Sequence, residues 1–494
     1  MKITTKFAAA LLLTAATAAA AQIVTPVNPG DGVARQAASG RGPTPEQKAL
    51  SDATLNELMR EMKLAGVNQL RAPMNATRPD LPYFTNYDEK KANPYPLPDL
   101  LAFKNGKSVK TKADWIKRRA EIKAMFDEYV YGKYPAHIPK VTWSVDTTEN
   151  VAFEGIPVVV KRLTGHVDNS SYPAITVPIS MTVVTPASAK GKRVPVIIGG
   201  GNIPPPPAPG AAAGRGAPVL AGRGAPNPRV MGPPVDSSGK QLLDKGWGFV
   251  SVNANQIQPD NGAGLTGGII GLVNKGQPRK MDDWGVLRAW AWAQSRAMDY
   301  LVTDKDVDPK KVGVMGHSRG GKGALIALVD DPRFAIGFIS SSGAGGANLY
   351  RRNYGELPSN LCAPNEFHWM AGNFLKYCGV GHTIDELPVD AHEFIALVAP
   401  RAIFIGGGDL NMEPGAIPGD AWQDAKGMFM AAAAASPAWT FYGKKGLPSA
   451  NLPPMETLVD SGDVAFRQHP YGHTPNPNWS YFIQFAEKEF AKQK

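Results

Sequence analysis

Ser318 stands at the centre of Gly316-His317-Ser318-Arg319-Gly320, a G-x-S-x-G pentapeptide. The apolar run Val312-Gly313-Val314-Met315 precedes it and Ala324-Leu325-Ile326-Ala327-Leu328 follows, so the context reads strand, forced turn, helix start. Such a nucleophile elbow lifts a serine hydroxyl to the top of a sheet, and its glycines keep side chains out of the turn. A chain with 52 glycines produces the bare pentapeptide by chance. The flanking strand and helix pattern is what points to acyl transfer.

Serine is a weak nucleophile and needs a base within hydrogen-bond reach, itself oriented by an acid. Of eight histidines, His469 and His473 follow the last predicted strand, where the chain order serine, acid, histidine expects the base. His473 lies in the Gly/Pro turn Pro470-Tyr471-Gly472-His473-Thr474-Pro475 and is preferred; His469, nearer the strand end, reads as structural. Strand-turn geometry aims His317 away from the serine, and His137, His166, His368 and His382 show no partner pattern. The acid should follow the strand Ala402 to Ile405, where Asp409 and Asp420 compete and spacing does not decide. Arg319 offers its backbone N–H, and its guanidinium as a second donor, to a developing oxyanion. Lys322, one helical turn beyond Ser318, shares its face and is expected to point toward bound ligand, because an unpaired buried ammonium is costly.

Other elements must position these groups. Short apolar runs at Ile156 to Val160, Ile179 to Val184, Val194 to Ile198, Gly248 to Val252, Val312 to Met315, Ile336 to Ile339, Ala402 to Ile405 and Val464 to Phe466 alternate with helical segments from about 140 onward. That is the pattern of an α/β fold, a mostly parallel central sheet in a three-layer sandwich. Ahead of it, Leu50, Leu55, Leu58, Met59 and Met62 fit an amphipathic helix capped by Thr44, and Trp115, Ile116, Ile122, Phe126 and Val130 a second helix over 112–131. Residues 204–234 hold ten prolines and six glycines, too many for a helix or strand interior, so they read as a surface insertion near the ligand-binding edge.

Residues 1–21 read as a secretory signal peptide cleaved before Gln22. Residues 22–84 read as a flexible leader and helical extension, and 85–494 as one catalytic domain. An exported protein, periplasmic or fully secreted, follows, with no membrane span. Cys362 and Cys378 are either bridged or two separate buried thiols, and neither has metal-ligand spacing. The net charge of +10 favours acidic partners such as uronate-bearing polysaccharides. No basic helix or RNA-binding signature points to nucleic acid, and the protein is expected to be a monomer without metal or organic cofactor.

Several blocks carry a resemblance. Asn86-Tyr87-Asp88-Glu89-Lys90-Lys91, Asp283-Trp284-Gly285, Gly316 to Gly323, Arg351-Arg352-Asn353-Tyr354-Gly355-Glu356, Trp369 and Leu387 to His392 occur in the order seen in the glucuronoyl esterases, carbohydrate esterase family 15. The chain resembles that family over about residues 85–490. The resemblance implies the α/β-hydrolase fold, with Ser318 as nucleophile, Arg319 at the oxyanion and His473 as base. It implies Lys322, Glu356 and Trp369 on the glucuronate ring, and a glucuronoxylan or lignin–carbohydrate ester as substrate. Many members carry a catalytic Glu where this chain has Ser341, in Ser341-Ser342-Gly343-Ala344-Gly345-Gly346. Others place the acid in a D-x-W-x-D block similar to Asp420-Ala421-Trp422-Gln423-Asp424, which selects Asp420 over Asp409. The alternatives are an acetyl or feruloyl esterase with the same triad, or a carbohydrate-binding protein on a degenerate hydrolase scaffold.

Overall fold

Among the described residues, nine strands form one sheet in the order β1-β2-β3-β5-β4-β6-β7-β8-β9. They are β1 (Val141–Phe153), β2 (Ile156–Val167), β3 (Pro178–Pro186), β4 (Val194–Ile198), β5 (Gly248–Val252), β6 (Val307–His317), β7 (Ile336–Ser340), β8 (Ala402–Gly408) and β9 (Val464–His469). The computed structural model describes residues 43–76, 79–80, 82–93, 95–208, 231–409 and 419–493. The predicted signal peptide, most of the leader and the centre of the Pro/Gly-rich insertion lie outside them. Pairing is antiparallel from β1 through β3 to β5 and parallel from β5 through β4 to β9.

Strand residues alternate between two apolar clusters because successive side chains leave opposite faces of a strand. Val196 and Ile198 of β4, Ile339 of β7 and Ile403 and Ile405 of β8 belong to one cluster; Ile197, Phe338 and Phe404 belong to the other. Helices Val286–Leu301, Arg319–Asp330 and Ala425–Ala435 cover the first face, and Ser238–Asp244 and Trp479–Ala491 the second. The result is the three-layer α/β arrangement expected.

Two sequence expectations need correction. β1 was absent from the predicted strands because it lies at the sheet edge and much of it is exposed; its polar run Asp146-Thr147-Thr148-Glu149-Asn150 presents no apolar period. Ile116 and Leu50, assigned to buried helix faces, are 55% and 47% exposed. Their helices do form, over Lys112–Tyr129 and Pro45–Leu64, and Thr44 caps the latter in a reciprocal box with Gln47.

Cys362 and Cys378 are bridged, which resolves the two alternatives. The bridge joins the loop carrying Glu356 and Trp369 to a segment that the N-terminal extension grips, since Arg71 donates its N–H to the Cys378 carbonyl at 2.8 Å. Both described ends of the Pro/Gly-rich insertion lie near the top of the sheet. Asn202, just before it, faces Gly320, and Gly232, on its return, packs beside Tyr471 and Pro477.

Candidate active site

β6 ends at His317, and Ser318 takes φ 58° and ψ −133° before the helix Arg319–Asp330 begins. A positive φ at a non-glycine residue is strained, and such strain is characteristic of a nucleophile elbow. The two motif glycines are not equivalent. A Cβ on Gly316 would lie 2.0 Å from the Gly320 carbonyl oxygen, whereas one on Gly320 would meet only Asn202 at an ordinary 3.6 Å. Gly316 is therefore dictated by the backbone crossing. Ser318 donates its N–H to Ser340 O, and Gly321 and Lys322 donate theirs to Ser318 O. The Arg319 amide stands earlier in the first turn, among the groups with no intrahelical acceptor.

On one side of the elbow the expected base and acid, His473 and Asp420, meet. His473 Nδ1 and Asp420 Oδ1 are 2.6 Å apart. The other carboxyl oxygen, Oδ2, accepts from Ser341 Oγ at 2.6 Å and from the Gly408 N–H. Ser341, which stands where the resemblance leads one to expect Glu, thus hydrogen-bonds Asp420. Burial pushes the Asp420 carboxyl above its ordinary range, against His317, the Ser341 hydroxyl and the Gly408 amide, which favour the ionised form. Gly408 has to be glycine: a Cβ there would lie 2.3 Å from Tyr471 O and 2.9 Å from Asp420 Cβ. Asp409 faces elsewhere and accepts from Gln468 Nε2 at 2.9 Å. His469 is pinned by Thr474 O and the Tyr471 N–H, as a structural residue. His317, expected to point away, hydrogen-bonds Ser340 Oγ but also packs its ring 4.3 Å from that of His473, which brings His473 next to the elbow.

The opposite side is crowded with charge. Lys322 is buried, and its Nζ donates to Ser342 O at 2.8 Å, to Ala344 O and to Glu356 Oε2 at 2.8 Å. An ammonium has three protons, so a sugar contact by Lys322 requires one of these bonds to be exchanged. The ligand-facing lysine foreseen from helix spacing is a strut under the site. Trp369 is buried below it, its ring 5.8 Å from Lys322 Nζ. Half-buried Trp422 lies two residues beyond Asp420 and retains exposed surface, and its carbonyl accepts the Glu356 N–H at 2.7 Å.

Three residues of this side were not singled out from sequence. Asp260 accepts from Arg319 Nε at 2.8 Å, Trp369 Nε1 at 2.6 Å and His368 Nε2 at 3.0 Å. Burial alone would raise its pKa, but Arg319, His368 and Trp369 together hold it at about 2. Glu366 is the reverse case. Its Oε2 is buried without a hydrogen-bond partner, and burial together with the neighbouring Glu356 pushes the pKa up to about 8. Burial likewise raises Glu356, opposed by Lys322. Only tertiary proximity identifies Asp260, His368 and Glu366; no motif contained them.

The amino-terminal blocks earn their place by holding this loop. Gly355 donates its N–H to Asn86 O at 3.1 Å, and Asn86 Nδ2 donates to Asn353 O at 2.8 Å. Arg352 ties Asp424, at 2.7 Å, to Glu89. Among the described residues no cluster of histidine, cysteine, aspartate or glutamate could hold a metal ion.

Comparisons with known proteins point to one family. Residues 226–443 match the family model described as glucuronyl esterase, fungi. A carbohydrate esterase of an unknown prokaryotic organism is 30% identical over 424 residues, covering 81% of this chain and 91% of that protein. A 4-O-methyl-glucuronoyl methylesterase of Podospora anserina is 26% identical, over 63% of this chain but only 54% of its own length. Among solved structures, a CE15 glucuronoyl esterase from Teredinibacter turnerae is 37% identical with a TM-score of 0.76, covering 89% of this chain and all of that one. A glucuronoyl esterase from Solibacter usitatus is 35% identical with a TM-score of 0.67, covering 81% of this chain.

Proposed function

Because the chain belongs to the glucuronoyl esterases of carbohydrate esterase family 15, we propose that it is a serine esterase cleaving the ester between a glucuronate or 4-O-methyl-glucuronate carboxyl group and an alcohol, as in lignin–glucuronoxylan cross-links. The observation that carries this reading is the Asp420–His473 contact of 2.6 Å beside a strained serine elbow. Nδ1 of His473 is engaged by Asp420, so Nε2 is the nitrogen that takes the Ser318 proton as Oγ attacks the carbonyl carbon. The Arg319 amide and guanidinium stabilise the oxyanion. Collapse expels the alcohol with the proton held by His473, and a water activated by the same imidazole then attacks the acyl-enzyme, releasing the uronate and Ser318.

In this reading half-buried Trp422, which retains exposed surface, contacts the sugar ring, and the buried Glu356, Lys322 and Trp369 lie beneath it. Asp420 is the acid in this reading. Residues 1–21 direct export to the periplasm or the medium, and residues 85–494 form the catalytic unit, acting as a monomer. No helix among the described residues is long and apolar enough to cross a membrane.

Hydrolysis of benzyl glucuronate, methyl glucuronate and acetylated xylan tests the reading. Activity on the two uronate esters with little on acetylated xylan is the expected result. The reverse preference assigns an acetyl esterase, and inactivity on all three assigns a binding protein.

A further inference from the structure

Arg319 is the charged group of the oxyanion site, yet its side chain is 40% exposed, and an exposed arginine samples many rotamers. A preorganised donor needs something to hold it. We propose that Asp260 is the positioning residue for Arg319, gripping the guanidinium by its Nε edge so that the terminal Nη groups are left for the ester oxygen. The inference rests on the esterase reading above and adds to it the residue that orients the arginine.

Asp260 is built as an anchor. Its Oδ2 takes Arg319 Nε, while Oδ1 takes Trp369 Nε1 and His368 Nε2. The indole N–H can only donate, so the plane of the carboxylate is fixed from behind before the arginine arrives. The backbone on either side is held as well. Gln258, fully buried, bonds Gly264 O at 2.7 Å and the Ile270 N–H at 3.0 Å, and Asn261 Oδ1 accepts the Gly264 N–H at 2.9 Å. Gly262 sits so close to the N-terminal helix that a Cβ would lie 2.3 Å from Ser51 Oγ. The helical extension thereby braces the loop that carries the anchor, a role its sequence did not suggest.

The carboxylate also pairs the arginine's charge. The reaction's product is itself a carboxylate released beside Arg319, and an unpaired guanidinium would hold it more tightly than a paired one. Asp260 therefore orients the oxyanion donor and favours product release.

The test is a double-mutant cycle on benzyl glucuronate with wild type, Asp260→Asn, Arg319→Ala and the double variant. Asp260→Asn is expected to lower kcat ~30-fold with KM within about threefold, and to add less than about twofold in the Arg319→Ala background. Glucuronate should inhibit Asp260→Asn more strongly than wild type. Losses that multiply in the double variant, or an Asp260→Asn enzyme with wild-type kcat, overturn the assignment. Trp369→Phe, which removes one Oδ1 donor and keeps the aspartate, gives the same reading should Asp260→Asn fail to fold. Its loss of a few-fold must likewise vanish in the Arg319→Ala background. A wild-type enzyme inactive on the ester would instead refute the esterase reading itself.

Discussion

On one side of Ser318, among the described residues, the Asp420 carboxylate is shared among Ser341, Gly408 and His473, with Asp409 held apart on Gln468. On the other, three carboxylates, Asp260, Glu356 and Glu366, are set among Arg319, Lys322 and His368. The bonds of the first side run through Asp420 to His473. The second is dense, and most of its bonds hold one protein group to another. A lone hydrogen-bonded carboxylate can be neutralised with little effect on folding, since an amide of the same shape keeps most partners. A buried ion pair cannot lose one member so cheaply, because the remaining charge is left without solvent or partner. Rate and stability should therefore separate between the two sides.

The largest effect comes from the elbow that divides them. Ser318→Ala should lower kcat by about 10⁴-fold or more while leaving the unfolding midpoint nearly unchanged; a variant that still forms acyl-enzyme from a labelled ester would remove the dividing point altogether. On the first side, Asp420→Asn should lower kcat at least ~100-fold with KM little altered and stability nearly intact, by loss of the correct His473 tautomer. Asp409→Asn, bonded to Gln468, should stay within about twofold on the same assay. Ser341→Glu in the Asp420→Asn background should recover part of the rate, because Ser341 Oγ already lies 2.6 Å from the acid. The opposite ranking of the two asparagine variants would move the acid to Asp409.

On the dense side, Lys322→Ala should cost about 3 kcal/mol of stability, read from denaturant unfolding, because it strands Glu356 and two carbonyls. A Lys322→Ala enzyme of wild-type stability but raised KM would make the lysine a sugar contact rather than a strut. The smallest effect concerns protons. Glu366 keeps its proton to about pH 8 when folded, against an ordinary value of 4.5, so the folded state binds the extra proton between those values. Stability contributed at this position is accordingly lost as pH rises from 4.5 toward 8. Above that range the new carboxylate faces Glu356, and KM for the uronate ester should rise a few-fold. Glu366→Gln, neutral at every pH, should abolish both trends; a KM rise that persists in it would place the titrating group elsewhere.

Local pattern determined a good deal of this protein. A strand, a turn and a helix contiguous in the chain identified Ser318; Thr44 announced its helix because a cap acts over four residues. His473 and Asp420 were reachable by chain order and family likeness, since both follow parallel strands in a known sequence of elements. What local pattern could not reach were groups brought together across the fold. Asp260 lies 59 residues from Arg319 and 108 from His368. The edge strand β1 has no apolar period because none of its residues is buried. Ser341 looked like a lost acid until the fold set its hydroxyl against Asp420, and Lys322 looked like a ligand contact until three acceptors closed around it. Sequence records which chemical groups are present and their local geometry. Which of them share a hydrogen bond, and so which remain available to a substrate, is decided only when distant segments pack.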